Sequence, residues 1–257
     1  MNLIIKNKLL QIAAQYNIQI LYACESGSRG WEFPSPDSDY DIRFIYARPY
    51  ETYLSVTDHD DQLKFPINDE LDVYGWDIRK VLQLIRRSNT TPFEWLQSPV
   101  VYMEVPGFRD ELWSLCQAYF SRRANIHHYL GIATGALEDM NGNEISIKRL
   151  FYILRPLLSA KWCLEEKSIS PMRIGPLMKL LPYDIHTIVS ELIDLKSTAA
   201  EGFVIAVENI LKAYILNEME QVDRLSRSLE KDNFDAGALD LFFRKTIRQH
   251  DYTGVER

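Results

Sequence analysis

The chain has 257 residues, enough for one large domain or two modest ones. Hydrophobic residues make up 46% and charged residues 25% of it, which excludes wholesale disorder, and no apolar run approaches the ~20 residues of a membrane helix. The net charge of −7 argues against a broad basic clamp for nucleic acid, although a locally basic cleft is still allowed. The few, widely spaced cysteines (Cys24, Cys116 and Cys163) indicate a reducing compartment and no zinc site, so we expect a cytoplasmic protein.

The first third of the chain alternates helical and extended patterns. Apolar spacing predicts an amphipathic helix over 3–16, not a signal peptide. Apolar and aromatic runs bounded by Gly, Pro, Asp and Ser predict strands, and these cover residues 18–26, 39–47, 62–66, 69–76 and 100–105. Asp77 is predicted to cap a helix over 78–85, and Thr91 to cap a second short helix over 91–96 with Pro92 in its first position.

From about residue 108 onward the apolar period is helical. The predicted helices are 108–120, 122–140, 146–166, 174–181, 183–196, 199–225 and 234–249. The predicted fold class is therefore α+β, with a mixed sheet flanked by helices in residues 1–107 and an all-helical domain in residues 108–257. Ligand sites favour the crevice between two such units, so we expect the helical domain to close the site.

Carboxylates cluster in the stretch GSRGWEFPSPDSDYD, residues 27–41. Asp39 and Asp41 flank one residue, so on an extended chain both point to the same face and repel each other. Mg²⁺ prefers such oxygen ligands, and two ions can share a small set of carboxylates. We predict Asp72, which lies between apolar residues in a later strand, as the third ligand, with Asp77 as the fallback.

The small residues ahead of these acids suit phosphate binding. Gly27 and Ser28 form a tight turn at the end of a strand, where free backbone N–H groups and a hydroxyl can hold phosphate oxygens. We assign Gly27, Ser28 and Arg29 to the nucleotide. Taken alone, an Asp-x-Asp pair is more often a solvated loop than a metal site, so the prediction depends on the conjunction of turn, paired acids and strand Asp.

One predicted helix, residues 146–166, carries a mixed stripe. Lys148, Tyr152, Arg155, Ser159 and Trp162 share a face at helical spacing, opposite a leucine face. This stripe offers charge, hydrogen-bond donors and stacking surface, so we assign Lys148, Tyr152 and Arg155 to the nucleotide; an ordinary solvated face is the alternative. Basic residues at 79, 80, 86, 87, 122 and 123 either track a phosphate backbone or serve solubility.

Gly27-Ser28, ten residues and Asp39-Tyr40-Asp41-Ile42 together resemble the signature of the DNA polymerase β-like nucleotidyltransferase superfamily. From about residue 18 to 182 the chain is similar to one branch, the predicted nucleotidyltransferases of bacteria and phages that are linked to RNA ligases and RNA repair. The resemblance implies that Gly27 and Ser28 contact the triphosphate and that Asp39 and Asp41 bind two Mg²⁺ ions. One departure is Glu25, where the superfamily usually has an apolar residue.

We therefore expect a magnesium-dependent nucleotidyltransferase, with Mn²⁺ as a substitute, that binds an NTP such as ATP. The resemblance implies transfer of a nucleoside monophosphate to an acceptor hydroxyl, with a tRNA or another RNA 3′ end as the expected acceptor, and a functional link to an RNA ligase. Two alternatives stay open. One is transfer to a small molecule or protein hydroxyl, and the other is a catalytically inactive binding or antitoxin-like module.

Overall fold

The computed structural model describes residues 1–67 and 70–251. Its elements alternate first and then become almost entirely helical. In chain order they are α1 (Asn2–Tyr16), β1 (Gln19–Glu25), α2 (Gly27–Gly30), β2 (Tyr40–Ala47), α3 (Tyr50–Leu54), β3 (Gln62–Lys64), β4 (Leu71–Asp77), α4 (Ile78–Arg86), α5 (Thr90–Trp95), β5 (Val101–Glu104), α6 (Phe108–Ala118), α7 (Arg122–Leu137), β6 (Glu144–Ser146), α8 (Ile147–Glu165), α9 (Ile174–Leu177), α10 (Tyr183–Thr198), β7 (Val204–Ala206), α11 (Asn209–Ser226) and α12 (Gly237–Asp251). No helix in the described part of the chain is long and apolar enough to cross a membrane.

Five strands form one mixed sheet in the order β3-β4-β2-β1-β5. The β2–β4 pair is parallel and the other neighbours are antiparallel. In the parallel pair Asp41 lies opposite Asp72, and Tyr46 lies opposite Asp77. Paired residues in neighbouring strands project from the same face of the sheet. The pairing therefore brings the second and third predicted acids together at the starting ends of β2 and β4.

Helices cover both faces of this sheet, which agrees with the predicted fold class. On one face α1 buries Ile5, Leu9 and Ile12 against alternate residues of β1 and β2. On the other face a cluster from α4, α6 and α12 packs against the remaining strand residues. Both α6 and α12 follow residue 107, yet they share this core with the sheet. The division of the chain into two domains at residue 107 therefore stays a prediction.

The second half is built around α8. Residues such as Leu150, Leu154 and Leu157, predicted to face the core, are fully buried in the cluster that α8 forms with α7, α10 and α11. The half is not wholly helical, because β6 and β7 pair as a short antiparallel ribbon. Val204–Ala206 therefore corrects the predicted single helix over 199–225: pairing with β6 fixes this segment as extended, and the helix begins only at Asn209.

Most other predicted bounds differ from the observed ones by a few residues, and two differences, at Gly27 and at the start of α5, have identifiable causes. The turn at Gly27 is a single helical turn, α2, with a left-handed φ of 56° at the glycine. Asn89, not Thr91, caps α5, since its side chain accepts from the Thr91 amide. Asp77 caps α4 as predicted, accepting from the Arg79 amide. The predicted start of β4 at residue 69 lies outside the described residues.

Candidate active site

A cavity of about 300 Å³ lies at the starting ends of β2 and β4, against the first turns of α8. All three predicted carboxylates, Asp39, Asp41 and Asp72, line it. The structure thus brings together acids from two strands that are separated in sequence by about thirty residues, because the parallel pairing places Asp41 and Asp72 side by side.

Arg43 lies between two of these acids. Its Nη2 atom is 2.7 Å from Asp41 Oδ1 and 2.7 Å from Asp72 Oδ2. Asp41 and Arg43 are alternate residues of β2, so they share the face of the strand that opens into the cavity. The guanidinium supplies the counter-charge that two neighbouring carboxylates require. Burial raises the pKa of Asp41 above its ordinary value, and Arg43 opposes this effect.

The donor set is one that suits magnesium. Carboxylate oxygens are the hard ligands that Mg²⁺ takes, usually one or two from the protein with the rest from phosphate and water. Asp39, Asp41 and Asp72 supply such oxygens in a single cavity, and the position of Arg43 marks the space between two of them as one that holds positive charge. Within residues 1–67 and 70–251, no group of three or more His, Cys, Asp or Glu side chains is positioned to hold a metal ion, and Arg43 lies between Asp41 and Asp72 instead.

The turn at Gly27 lies directly against the Asp41 carboxylate. A Cβ atom at Gly27 would lie 1.8 Å from Asp41 Oδ2, so only glycine allows this approach, and its left-handed φ also favours glycine. Ser28 lines the cavity and donates to Ser38 Oγ at 3.0 Å. Arg29 does not line the cavity; it donates to the carbonyls of Ser38 and Asp39 and thereby fixes the loop before β2.

Glu25, the departure from the superfamily pattern, is buried and holds the strand that carries Asp41. Its Oε1 atom accepts from the Asp41 amide at 2.7 Å, and its other oxygen accepts from the Tyr102 hydroxyl. Burial raises the pKa of the Glu25 carboxyl, while these hydrogen bonds oppose the rise. The residue positions Asp41 and lies behind the cavity wall, since it is 1% exposed.

Helix α8 contributes two of its three predicted residues to the cavity. Lys148 and Tyr152 line it. Arg155 does not: it is 2% exposed, its Nη2 atom is 3.0 Å from Glu94 Oε1, and its Nε atom donates to the Met172 carbonyl. We therefore remove Arg155 from the nucleotide site and assign it to packing. Ser159, on the same predicted stripe, is fully buried as well.

Several cavity residues were not predicted from the sequence. Lys196 is a buried ammonium from α10 that donates to the Phe33 carbonyl at 3.0 Å and to Ser35 Oγ at 3.1 Å. Burial lowers the pKa of this ammonium. Glu201 pairs with Lys148 and accepts from Ser38. An aromatic wall is formed by Trp31, Phe33, Phe151 and Tyr152.

Asp77, the fallback third acid, lies elsewhere. It ends β4, five residues from Asp72 and so roughly 17 Å away along the strand. Its carboxylate caps α4 and accepts from the Tyr53 hydroxyl at 2.9 Å. It lines a different cavity of about 230 Å³, together with the predicted basic residues Arg79 and Lys80. Two further basic residues, Arg122 and Arg123, donate to backbone carbonyls.

Comparison with known proteins adds three findings. Residues 1–245 match the family RlaP, described as the RNA repair pathway DNA polymerase beta family. The chain is 36% identical over 232 residues to the uncharacterized protein YcgL of Bacillus subtilis (strain 168), covering 89% of each protein. It also aligns at 10% identity and a TM-score of 0.32 with a nucleotidyltransferase-like protein from Exiguobacterium sibiricum 255-15, covering 87% of this chain and 75% of that one. With the family match spanning nearly the whole sequence, the chain belongs to the RNA repair pathway DNA polymerase beta family.

Proposed function

We propose that this protein is a magnesium-dependent nucleotidyltransferase that moves the nucleoside monophosphate of an NTP to the 3′ hydroxyl of an RNA. The observation that carries the proposal is the meeting of Asp39, Asp41 and Asp72 in one cavity that also holds Lys148. Membership of an RNA repair family supports RNA as the acceptor. An RNA ligase that seals the extended end is the functional partner we propose.

The cavity offers a place for each part of the nucleotide. The first amides of α2, from Gly27 to Arg29, have no acceptor within that helix, and Ser28 adds a hydroxyl, so this turn is assigned to the triphosphate. Lys148 is assigned to a phosphate oxygen. The aromatic wall suits a base, because stacking on such rings is worth about 1–3 kcal/mol per base.

The reaction joins the acceptor oxygen to the α-phosphorus and breaks the bond between the α-phosphorus and the oxygen that bridges it to the β-phosphate. Pyrophosphate is the leaving group, and the proton of the acceptor hydroxyl passes to solvent. Two Mg²⁺ ions held by Asp39, Asp41 and Asp72 would lower the pKa of the acceptor hydroxyl and stabilise the charge that develops on phosphate. The protein's own part is to orient both reactants and to offset charge. Arg43 has to release at least one carboxylate for this arrangement to form.

A second candidate, a non-catalytic binding module, is favoured by the contact of Arg43 with two of the carboxylates. Arg43 already satisfies Asp41 and Asp72 in the way that a purely structural ion pair would. The two candidates differ in what magnesium does: in the module Mg²⁺ changes nothing, whereas in the enzyme it binds together with the nucleotide.

Calorimetric titration with each NTP, in Mg²⁺ and in EDTA, separates these candidates. We expect binding by the wild type in Mg²⁺ and its loss in Asp41→Asn and Asp72→Asn, while Asp77→Asn, the matched control on the same strand, binds normally. No binding of any NTP by the wild type would refute the enzyme. Incubation with α-labelled NTP then identifies the acceptor, and label found only in protein or in a small molecule would refute RNA as the substrate.

A further inference from the structure

The turn between α10 and β7 places Glu201 inside the candidate active site. The Glu201 carboxylate forms an ion pair with Lys148, and its Oε1 atom accepts from Ser38 Oγ at 2.7 Å. Lys148 lines the cavity, Ser38 accepts from Ser28, which also lines it, and Glu201 itself lines the cavity together with the three aspartates. An acid from the far end of the chain thus sits among the groups assigned to phosphate.

The groups around this carboxylate, Lys148, Ser38 and Ser28, form an anion-binding site, the seat. Ser28 donates to Ser38, and Ser38 donates to Glu201, so two hydroxyls in series point toward one anion. Lys148 supplies a positive charge, and its pKa is raised because the hydrogen bond and charge of Glu201 outweigh the lowering effect of burial. The buried ammonium of Lys196 lines the same cavity. Ammonium and hydroxyl donors of this kind hold phosphate oxygens as readily as a carboxylate.

The backbone of the turn is held on both sides, which leaves the side chain as the movable part. The Glu201 amide donates to Asp37 Oδ1 at 3.0 Å. The Phe203 carbonyl accepts from the Ile147 amide at 2.8 Å, and the Phe203 amide donates to the Ala200 carbonyl at 2.9 Å. Rotation about the Glu201 side-chain bonds vacates the seat without breaking any of these three backbone bonds.

We propose that the Glu201 carboxylate is an internal stand-in for a phosphate of the nucleotide, occupying the seat formed by Lys148, Ser38 and Ser28 until a polyphosphate displaces it. The inference rests on the proposed function, because it gives that seat to the β- or γ-phosphate of the NTP. Since the ligand must outcompete a covalently tethered anion, the seat selects for the high charge of a triphosphate over a monophosphate.

Titration with inorganic tripolyphosphate in EDTA tests the seat without magnesium and without catalysis. Glu201→Gln removes the competing charge but keeps the size of the side chain, and we expect it to bind tripolyphosphate about tenfold more tightly than the wild type. The control is Glu208→Gln, which removes the same charge from an exposed site that does not line the cavity. It should match the wild type within about twofold. Equal affinity of Glu201→Gln and wild type, or no binding by either, overturns the inference.

Two additions keep the test decisive. If Glu201→Gln fails to fold by thermal melting, Glu201→Ala replaces it, with the same expected gain; Ser38→Ala in the Glu201→Gln background should abolish that gain. A short RNA oligonucleotide is titrated in parallel, and a gain for RNA without one for tripolyphosphate assigns the seat to RNA and overturns the inference. Transfer activity is measured separately, so an affinity gain without transfer refutes only the proposed function, and transfer without the gain refutes only the role of Glu201.

Discussion

Gly27→Ala tests whether the turn and the carboxylates form one unit. In the wild type the glycine has a φ of +56°, and a Cβ atom there would lie 1.8 Å from Asp41 Oδ2 and 2.7 Å from its Cγ. Cβ atoms essentially never approach another heavy atom within 3.0 Å, so the Asp41 carboxylate has to move by more than an ångström. That movement pulls it away from Arg43, to which it is bound at 2.7 Å.

The expected cost has two parts. A left-handed φ costs a residue with a Cβ atom about 1–2 kcal/mol, part of which is offset because alanine restricts the unfolded chain. Forcing Asp41 off its rotamer and weakening its partly exposed ion pair adds about 1–2 kcal/mol. Gly142→Ala is the matched control, because Gly142 has a φ of +64° and open space around its Cβ position. Gly142→Ala therefore includes the cost of the left-handed φ but not the cost of displacing Asp41.

Urea unfolding of both variants measures this difference, and nucleotide transfer measures its consequence. We expect Gly27→Ala to be less stable than Gly142→Ala by about 1–2 kcal/mol. Transfer should fall on the order of 100-fold in Gly27→Ala, since misplacement by an ångström has that effect, and stay unchanged in Gly142→Ala. Equal unfolding free energies in the two variants would refute the close contact between Gly27 and Asp41.

Three further predictions concern the sheet around the site. Gly75→Ala should lower the unfolding free energy by about 1–3 kcal/mol, because its Cβ atom would lie 2.2 Å from the buried ring of Phe44; wild-type stability in urea would contradict this. Burial raises the pKa of Asp77, so the folded state holds that proton more tightly than the unfolded state. The stability of Asp77→Asn relative to wild type should therefore increase as the pH rises from 4 through the raised pKa and then level off; a fall in that relative stability over the same pH range would contradict this. Arg43→Met should lose about 1–2 kcal/mol in EDTA, and Mg²⁺ should raise its melting temperature more than that of the wild type, whereas equal shifts would argue against a metal site.

The predictions from sequence succeeded where a local pattern decides the structure. Alternation in Asp39-Tyr40-Asp41 predicted two acids on one face, and the structure places both in one cavity. The same alternation extends to Arg43, so its position beside Asp41 could have been predicted with no further information. The cap at Asp77 followed equally from a polar residue directly before an apolar helical run.

The predictions failed where contacts between distant segments of the chain decide the structure. Helical spacing gave α8 one polar face, but α8 is surrounded by other helices, so Arg155 is buried and pairs with Glu94 instead of a ligand. Residues 204–206 fit both helical and extended patterns, and only pairing with β6 selects the strand. Glu201 meets Ser38 across 163 residues, which no local pattern encodes.

Labelled nucleotide transfer to RNA tests the central claim most directly. The wild type is incubated with Mg²⁺, each NTP labelled at its α-phosphate, and an RNA that has a free 3′ hydroxyl, beside the same RNA with a blocked 3′ end. We predict label in the free-ended RNA alone, lost in Asp41→Asn and Asp72→Asn and kept in Asp77→Asn. If the free-ended RNA gains no label with any of the four NTPs, or if Asp41→Asn transfers as much label as the wild type, the account is contradicted.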